Sequence, residues 1–247
     1  MPAPALFVLV AIVGIGAVAA SSFALRMAGA QPAFARRLAG PREVRVGRLL
    51  DADDLPERPV RVAGRIRCRD PLVTADGERL VAFHRDVEVM AGGSWRSVER
   101  LRETRSFELW DHDGSLTVDP AAAAEPLVVI PKVWRGDPAQ LEEPHTSSVA
   151  RLVERYGAAT VARSIVRTLD VTDHLLVIAR PSRGDDGRVH LEPPRGGFVI
   201  TSLALDDAMR LLGGTNRRVA VASVVGIAVG VGLVIVGAIG ALLSAIL

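Results

Sequence analysis

The stretch Val60-Arg61-Val62-Ala63-Gly64-Arg65-Ile66-Arg67-Cys68 alternates small or apolar side chains with basic ones at a period of two. Successive side chains of a strand point to opposite faces, so this spacing predicts a strand with one face on a core and one face wet. Asp70-Pro71 breaks it, and Ala75-Asp76-Gly77-Glu78 reads as a turn. Residues 80–90 alternate again, with Val81, Phe83, Arg85, Val87 and Val89 on one face and His84, Asp86 and Glu88 on the other. Ala91-Gly92-Gly93 is the next turn, and residues 95–105 form the return strand. Two short runs flank Asp111-His112-Asp113-Gly114, which has the composition of a tight hairpin turn. Further strands are expected at residues 127–130, 175–179, 189–192 and 198–201. One amphipathic helix interrupts them. Thr146 or Ser147 caps a segment in which Val149, Leu152, Val153, Tyr156, Ala159, Ile165, Val166 and Leu169 recur near helical spacing, with Gly157 bending it. The expected fold is therefore α+β: an antiparallel β-rich domain, closing toward a small barrel, with one inserted amphipathic helix.

Outward from this domain the composition changes. Residues 1–25 and 219–247 contain no Asp, Glu, Lys or Arg. A helix of roughly 20 apolar residues spans a bilayer core, so each end is long enough. The expected organisation is a first span at 5–25, a basic juxtamembrane linker at 26–48, the β-rich domain at 49–213 and a second span at 219–243. Net charge is only +2, which gives no case for a nucleic-acid partner. The placement of charge is more informative. Arg26, Arg36, Arg37, Arg42, Arg45 and Arg48 follow the first apolar end against the single acid Glu43, and Arg210, Arg217 and Arg218 precede the second. Arginines beside a span stay on the cytoplasmic side, so the domain is expected in the cytoplasm of a cell with both termini outside the plasma membrane. A cleaved signal peptide is the alternative, because Ala17-Val18-Ala19-Ala20-Ser21 is a small-residue site; the basic n-region such a peptide needs is missing. Cys68, being single, forms no internal disulfide in either case.

Both ends carry small residues at four-residue spacing: Gly16, Ala20 and Ala24 in the first, Ala222, Gly226 and Gly230 in the second. Such ridges let helix backbones approach closely inside lipid, which predicts an antiparallel hairpin. The arginines of residues 26–48 suit an anionic membrane surface.

Several of these residues carry a family likeness. Val62-Ala63-Gly64-Arg65-Ile66-Arg67-Cys68 with Pro71-Leu72, then Leu80 to Glu88, then Trp95, resemble the opening strands of the GIDE-type domain, also called BAM for "beside a membrane". Phe107-Glu108-Leu109-Trp110-Asp111, Gly114 and Val118-Asp119-Pro120-Ala121 resemble that family's central motif, and residues 175–180 and 198–201 resemble its closing strands. The resemblance covers most of residues 60–212. It implies a domain held between two spans, with roles in membrane stress or assembly. Its best-known members are mitochondrial ubiquitin ligases that carry a RING after the second span, and their domain faces the space between the mitochondrial membranes, which implies the opposite orientation. A RING needs about eight paired Cys and His ligands around two zinc ions. This sequence has one Cys, five His and no Cys-x-x-Cys, so ligase activity would require a RING on another chain.

No catalytic constellation is expected. Asp111-His112-Asp113-Gly114 lacks the alternating acids of a calcium loop. His84 and Asp86 share a strand face, which reads as a solvated face, and Cys68 reads as a small core hydrophobe. Gly213-Gly214-Thr215 has no lysine with which to hold a nucleotide phosphate. The sequence thus predicts no metal and no cofactor, and a non-catalytic domain that binds a protein, a lipid head group or a second copy of itself.

Overall fold

A computed structural model describes residues 3–27, 31–213 and 217–246, which fall into two units: residues 1–36 with 209–247, and residues 37–208. Among the described residues the helices are α1 (Ala3–Met27), α2 (Gln31–Ala39), α3 (Val46–Leu50), α4 (His145–Tyr156), α5 (Leu205–Gly213) and α6 (Arg217–Ile246).

In the first unit α1 and α6 pack as an antiparallel pair, stepping from Ser21 against Gly226, through Gly14 against Gly230, to Phe7 against Gly240. A β-carbon built on Gly14 would lie 2.7 Å from the Gly230 carbonyl oxygen, and one on Gly230 would lie 2.8 Å from that of Gly14. The two backbones touch, which only glycine allows. The bulky residues turn the other way: Val8, Ile12, Ile15 and Phe23 of α1 and Val225, Val229, Ile235 and Leu242 of α6 are exposed. Phe7–Ala24 and Val221–Leu242 are long and apolar enough to cross a bilayer.

The expected hairpin ridge is corrected in part. Gly226 and Gly230 meet α1, but Gly16 and Ala20 are exposed and no atom lies near a β-carbon built on Gly16. Ala222 is exposed as well, and Ala24 is half-buried. The α1 seam instead runs through Phe7, Ala11, Gly14, Val18 and Ser21. Steps of four residues drift about 40° around a helix each time, whereas alternating steps of four and three average 3.5 residues and stay on one side.

The second unit is built on two sheets. The strands are β1 (Glu43–Val44), β2 (Val60–Arg67), β3 (Leu72–Val73), β4 (Arg79–Ala91), β5 (Ser94–Thr104), β6 (Phe107–Asp111), β7 (Gly114–Val118), β8 (Lys132–Gly136), β9 (Ala159–Asp170), β10 (His174–Arg183), β11 (Val189–Glu192) and β12 (Val199–Thr201). The larger sheet runs β11-β10-β2-β6-β7, with β1 parallel beside β2 and β12 beside β10. Its end strands β7 and β11 come together, so it nearly closes into a barrel. The smaller antiparallel sheet runs β3-β4-β9-β8, with β5 pairing farther along the same edge of β4 as β3. One core joins them: Val62, Leu109, Leu116, Val177 and Ile200 from the larger sheet meet Val81, Ala82 and Leu169 from the smaller. β2 alternates as its sequence predicts, with Val60, Val62, Gly64 and Ile66 buried.

Three expectations are corrected in this unit. The helix read over residues 146–169 stops at Tyr156, where Gly157 takes φ +88° and donates its amide to the Val153 carbonyl at 2.8 Å. Beyond that stop the chain enters β9, which pairs with β4 on one side and β8 on the other. Its run Ala159-Thr160-Val161-Ala162-Arg163-Ser164-Ile165-Val166 is rich in β-branched residues, and pairing on both edges prevails over apolar spacing that also fits a helix. Residues 127–130 form no strand. They are an irregular segment in which Leu127, Val128 and Val129 are buried, Ile130 is exposed, and the Val128 amide donates to the Ile200 carbonyl at 3.2 Å. Finally, residues 26–48 are no simple linker. They contain α2, β1 and the start of α3, and the Val46 amide donates to Asp111 Oδ2 at 3.1 Å while Val46 and Leu49 enter the main core.

Candidate functional site

The densest charge cluster lies on the smaller sheet, where register brings together residues far apart in sequence. His84 of β4 stands opposite Arg102 of β5 and Arg167 of β9. Two residues on, Asp86 receives both arginines, Arg102 at 2.6 Å on Oδ1 and Arg167 at 3.2 Å on Oδ2. Arg102 Nε also donates to Glu125 Oε1 at 3.0 Å, and Arg100 pairs with the second oxygen of that carboxylate. His84, expected on a solvated face, is only 4% exposed. Burial first, and then the neighbouring Arg102 charge, pull its pKa from 6.5 down to about 4. Three arginines against two carboxylates already leave a positive excess, so the imidazole stays neutral. Desolvation works against the Glu125 carboxylate, yet hydrogen bonds from Arg102 and Arg100 hold its pKa below the usual range. With both Asp86 oxygens committed to guanidiniums, the cluster serves to join β4, β5, β9 and the residue 119–125 segment.

On the alternate side of β4, Arg85 grips Glu99 through two bonds of 2.7 and 3.1 Å, and His145 of α4 lies 3.3 Å from the same carboxylate. Hydrogen bonding from Arg85 holds Glu99 below the usual carboxylate range. Further along, Glu88 takes Arg163 at 2.6 Å, and that guanidinium stacks 3.9 Å from the Trp95 ring centroid.

A different arrangement surrounds a cleft of about 810 Å3 formed by residues 37–41, 57–59 and 193–195 against β10. Arg37, Arg58, Arg180 and Arg195 reach it, with Pro59, Pro194 and Ile178 among its apolar walls. Arg37 bonds the Gly196 carbonyl at 3.2 Å and also the Gly197 carbonyl. Arg180 pairs with Glu192 at 2.6 Å.

Of the basic residues expected at a membrane surface, Arg36, Arg42, Arg45 and Arg48 are exposed and Arg37 is half-buried in the cleft wall. The side chains of Arg26, Arg217 and Arg218 lie outside the described residues. Asp111-His112-Asp113-Gly114 forms the two-residue turn between β6 and β7. Cys68 is half-buried against the core, its thiol 3.6 Å from the Ser106 carbonyl oxygen. Sequence reasoning does not single out Arg102, Arg167, Glu125, Arg58 or Arg195; only Asp86, on the same strand parity as His84, hints at the first group. Among the described residues no group of three or more His, Cys, Asp or Glu side chains is placed to hold a metal ion. No protein-family model, curated protein or solved structure matches the chain.

Proposed function

We propose that this chain is a two-span integral membrane protein that presents a non-catalytic, GIDE/BAM-like domain at the membrane surface, where it binds a protein or lipid partner. The observation that carries this reading is the inside-out packing of α1 and α6. Glycines fill the seam while Ile12, Ile15, Val229 and Ile235 face outward. Water penalises such a surface at roughly 25 cal/mol per Å2, whereas lipid tails do not. The arginines at residues 26–48 and 210–218 support a cytoplasmic domain with external termini. The sequence likeness over residues 60–212 supports the GIDE/BAM assignment and with it a role in membrane stress or assembly.

Two measurements on the full chain test this. Carbonate washing of membranes should leave the protein in the pellet, and its release would refute the two-span reading. A cysteine placed at Asp76, an exposed turn residue, in a Cys68→Ala background should react with an impermeant maleimide only after permeabilisation. Labelling in intact cells would refute the cytoplasmic orientation.

A further inference from the structure

We infer that the arginine-lined cleft beside β10 binds a phosphoryl group, carried by an anionic lipid headgroup or by a soluble phosphate compound. This deepens the reading of the domain as an interaction module by naming the chemistry of one partner. Its volume of about 810 Å3 falls in the range of small-molecule sites. The charge balance inside it differs from that of the smaller sheet. There, Arg85, Arg102, Arg163 and Arg167 each hold a carboxylate within 3.3 Å. In the cleft four arginines, Arg37, Arg58, Arg180 and Arg195, share the lining with the carboxylate of Glu57; Glu192 beside it answers Arg180, and Arg58 and Arg195 form no ion pair among the described residues. Guanidiniums gathered in a concave site seek an oxyanion, and two of them suit a phosphate, which carries close to two charges and oxygens in several directions.

The walls are held in place before any ligand arrives. Pro41, Pro59, Pro193 and Pro194 restrict the backbone on both sides. Gly197, at φ +88°, sits so close to the residue 120–124 segment that a β-carbon on it would lie 2.7 Å from the Ala122 carbonyl oxygen. The Phe198 amide bonds that same carbonyl at 2.9 Å, and the Gly197 amide bonds the Pro194 carbonyl at 2.9 Å. The loop bearing Arg195 is thus tied to the barrel, which limits the ordering cost of binding. Proline rings and Ile178 offer an apolar wall for the organic part of the ligand.

The test uses the full chain in nanodiscs of phosphatidylcholine, titrated calorimetrically with inorganic phosphate and with dihexanoyl phosphatidic acid. Binding should weaken about tenfold in Arg58→Gln/Arg195→Gln, and also weaken as salt rises from about 50 to about 300 mM. Arg135→Gln, at an exposed position on β8, should leave it unchanged. Thermal melting of each variant checks folding, and Arg195→Gln alone should lose about threefold should the double variant unfold. Binding of phosphate alone identifies a soluble source, and binding only of phosphatidic acid identifies a lipid headgroup. Binding of neither probe, or equal binding by wild type and the arginine variants, overturns the inference. Carbonate extraction is indifferent to these variants, so failure here is distinguishable from failure of the two-span reading.

Discussion

At the seam of α1 and α6 the residues that touch are Gly14, Gly230 and Gly237, and the branched aliphatic side chains point outward. In the β-domain Val62, Leu109, Val177 and Ile200 point inward, and the arginines of β2 lie outside them. The same apolar residue types thus occupy opposite sides of the two units. The difference is the one expected if the two units answer to different solvents, as the proposed two-span reading requires. A sheet in water gains by burying aliphatic area. A helix pair among lipid tails gains nothing that way, so close backbone contact decides its seam.

The most severe way to break this contrast is Leu109→Asp. Leu109 is fully buried on β6, and an unpaired carboxylate there should cost more than about 4 kcal/mol and abolish the cooperative melt of the domain. Ile15→Asp sharpens the comparison from the other side. Ile15 is 61% exposed, so in water the change would be harmless, while at mid-bilayer it should cost about 3 kcal/mol of insertion. Carbonate extraction of that variant reads the difference, and unchanged retention would mean that α1 does not face lipid.

A third prediction concerns pH. His84 has a folded pKa of about 4 against an unfolded 6.5, so the unfolded chain binds the extra proton first. The neutral imidazole therefore contributes fully above about pH 6.5, and stability falls as pH drops from there toward 4, by up to about 3 kcal/mol. His84→Gln should flatten urea-melt stability across that window; an unaltered slope would show that His84 is not the group responsible. The gentlest test is a pair of glycine substitutions. Gly230→Leu places a side chain against the α1 backbone and should weaken the hairpin by about 2 kcal/mol, lowering bis-maleimide crosslinking between cysteines placed at Ala11 and Val234. Gly16→Leu meets open space and should leave that crosslinking intact.

Much of the fold was legible because its cause was local. The alternation over Val60 to Cys68 and the turn at Asp111 to Gly114 need only neighbouring residues to be read. The helix expected across residues 146–169 was half right for the same reason. Its first half is an amphipathic helix with its own glycine stop, whereas β9 exists because β4 and β8 flank it. The charge cluster was illegible for a related reason. Asp86 meets Arg102 and Arg167 only through strand register across 16 and 81 residues, and Glu125 arrives from an irregular segment with no sequence signature.

The sequence by itself determined that two uncharged apolar ends enclose a β-rich domain, because hydropathy and period are properties of consecutive residues. Tertiary structure alone decided which glycines form the helix seam and which face of β4 is buried. It also decided which arginines line the cleft beside β10. Those outcomes depend on how separate segments meet, and the energies that choose among such meetings arise only when the segments are packed together.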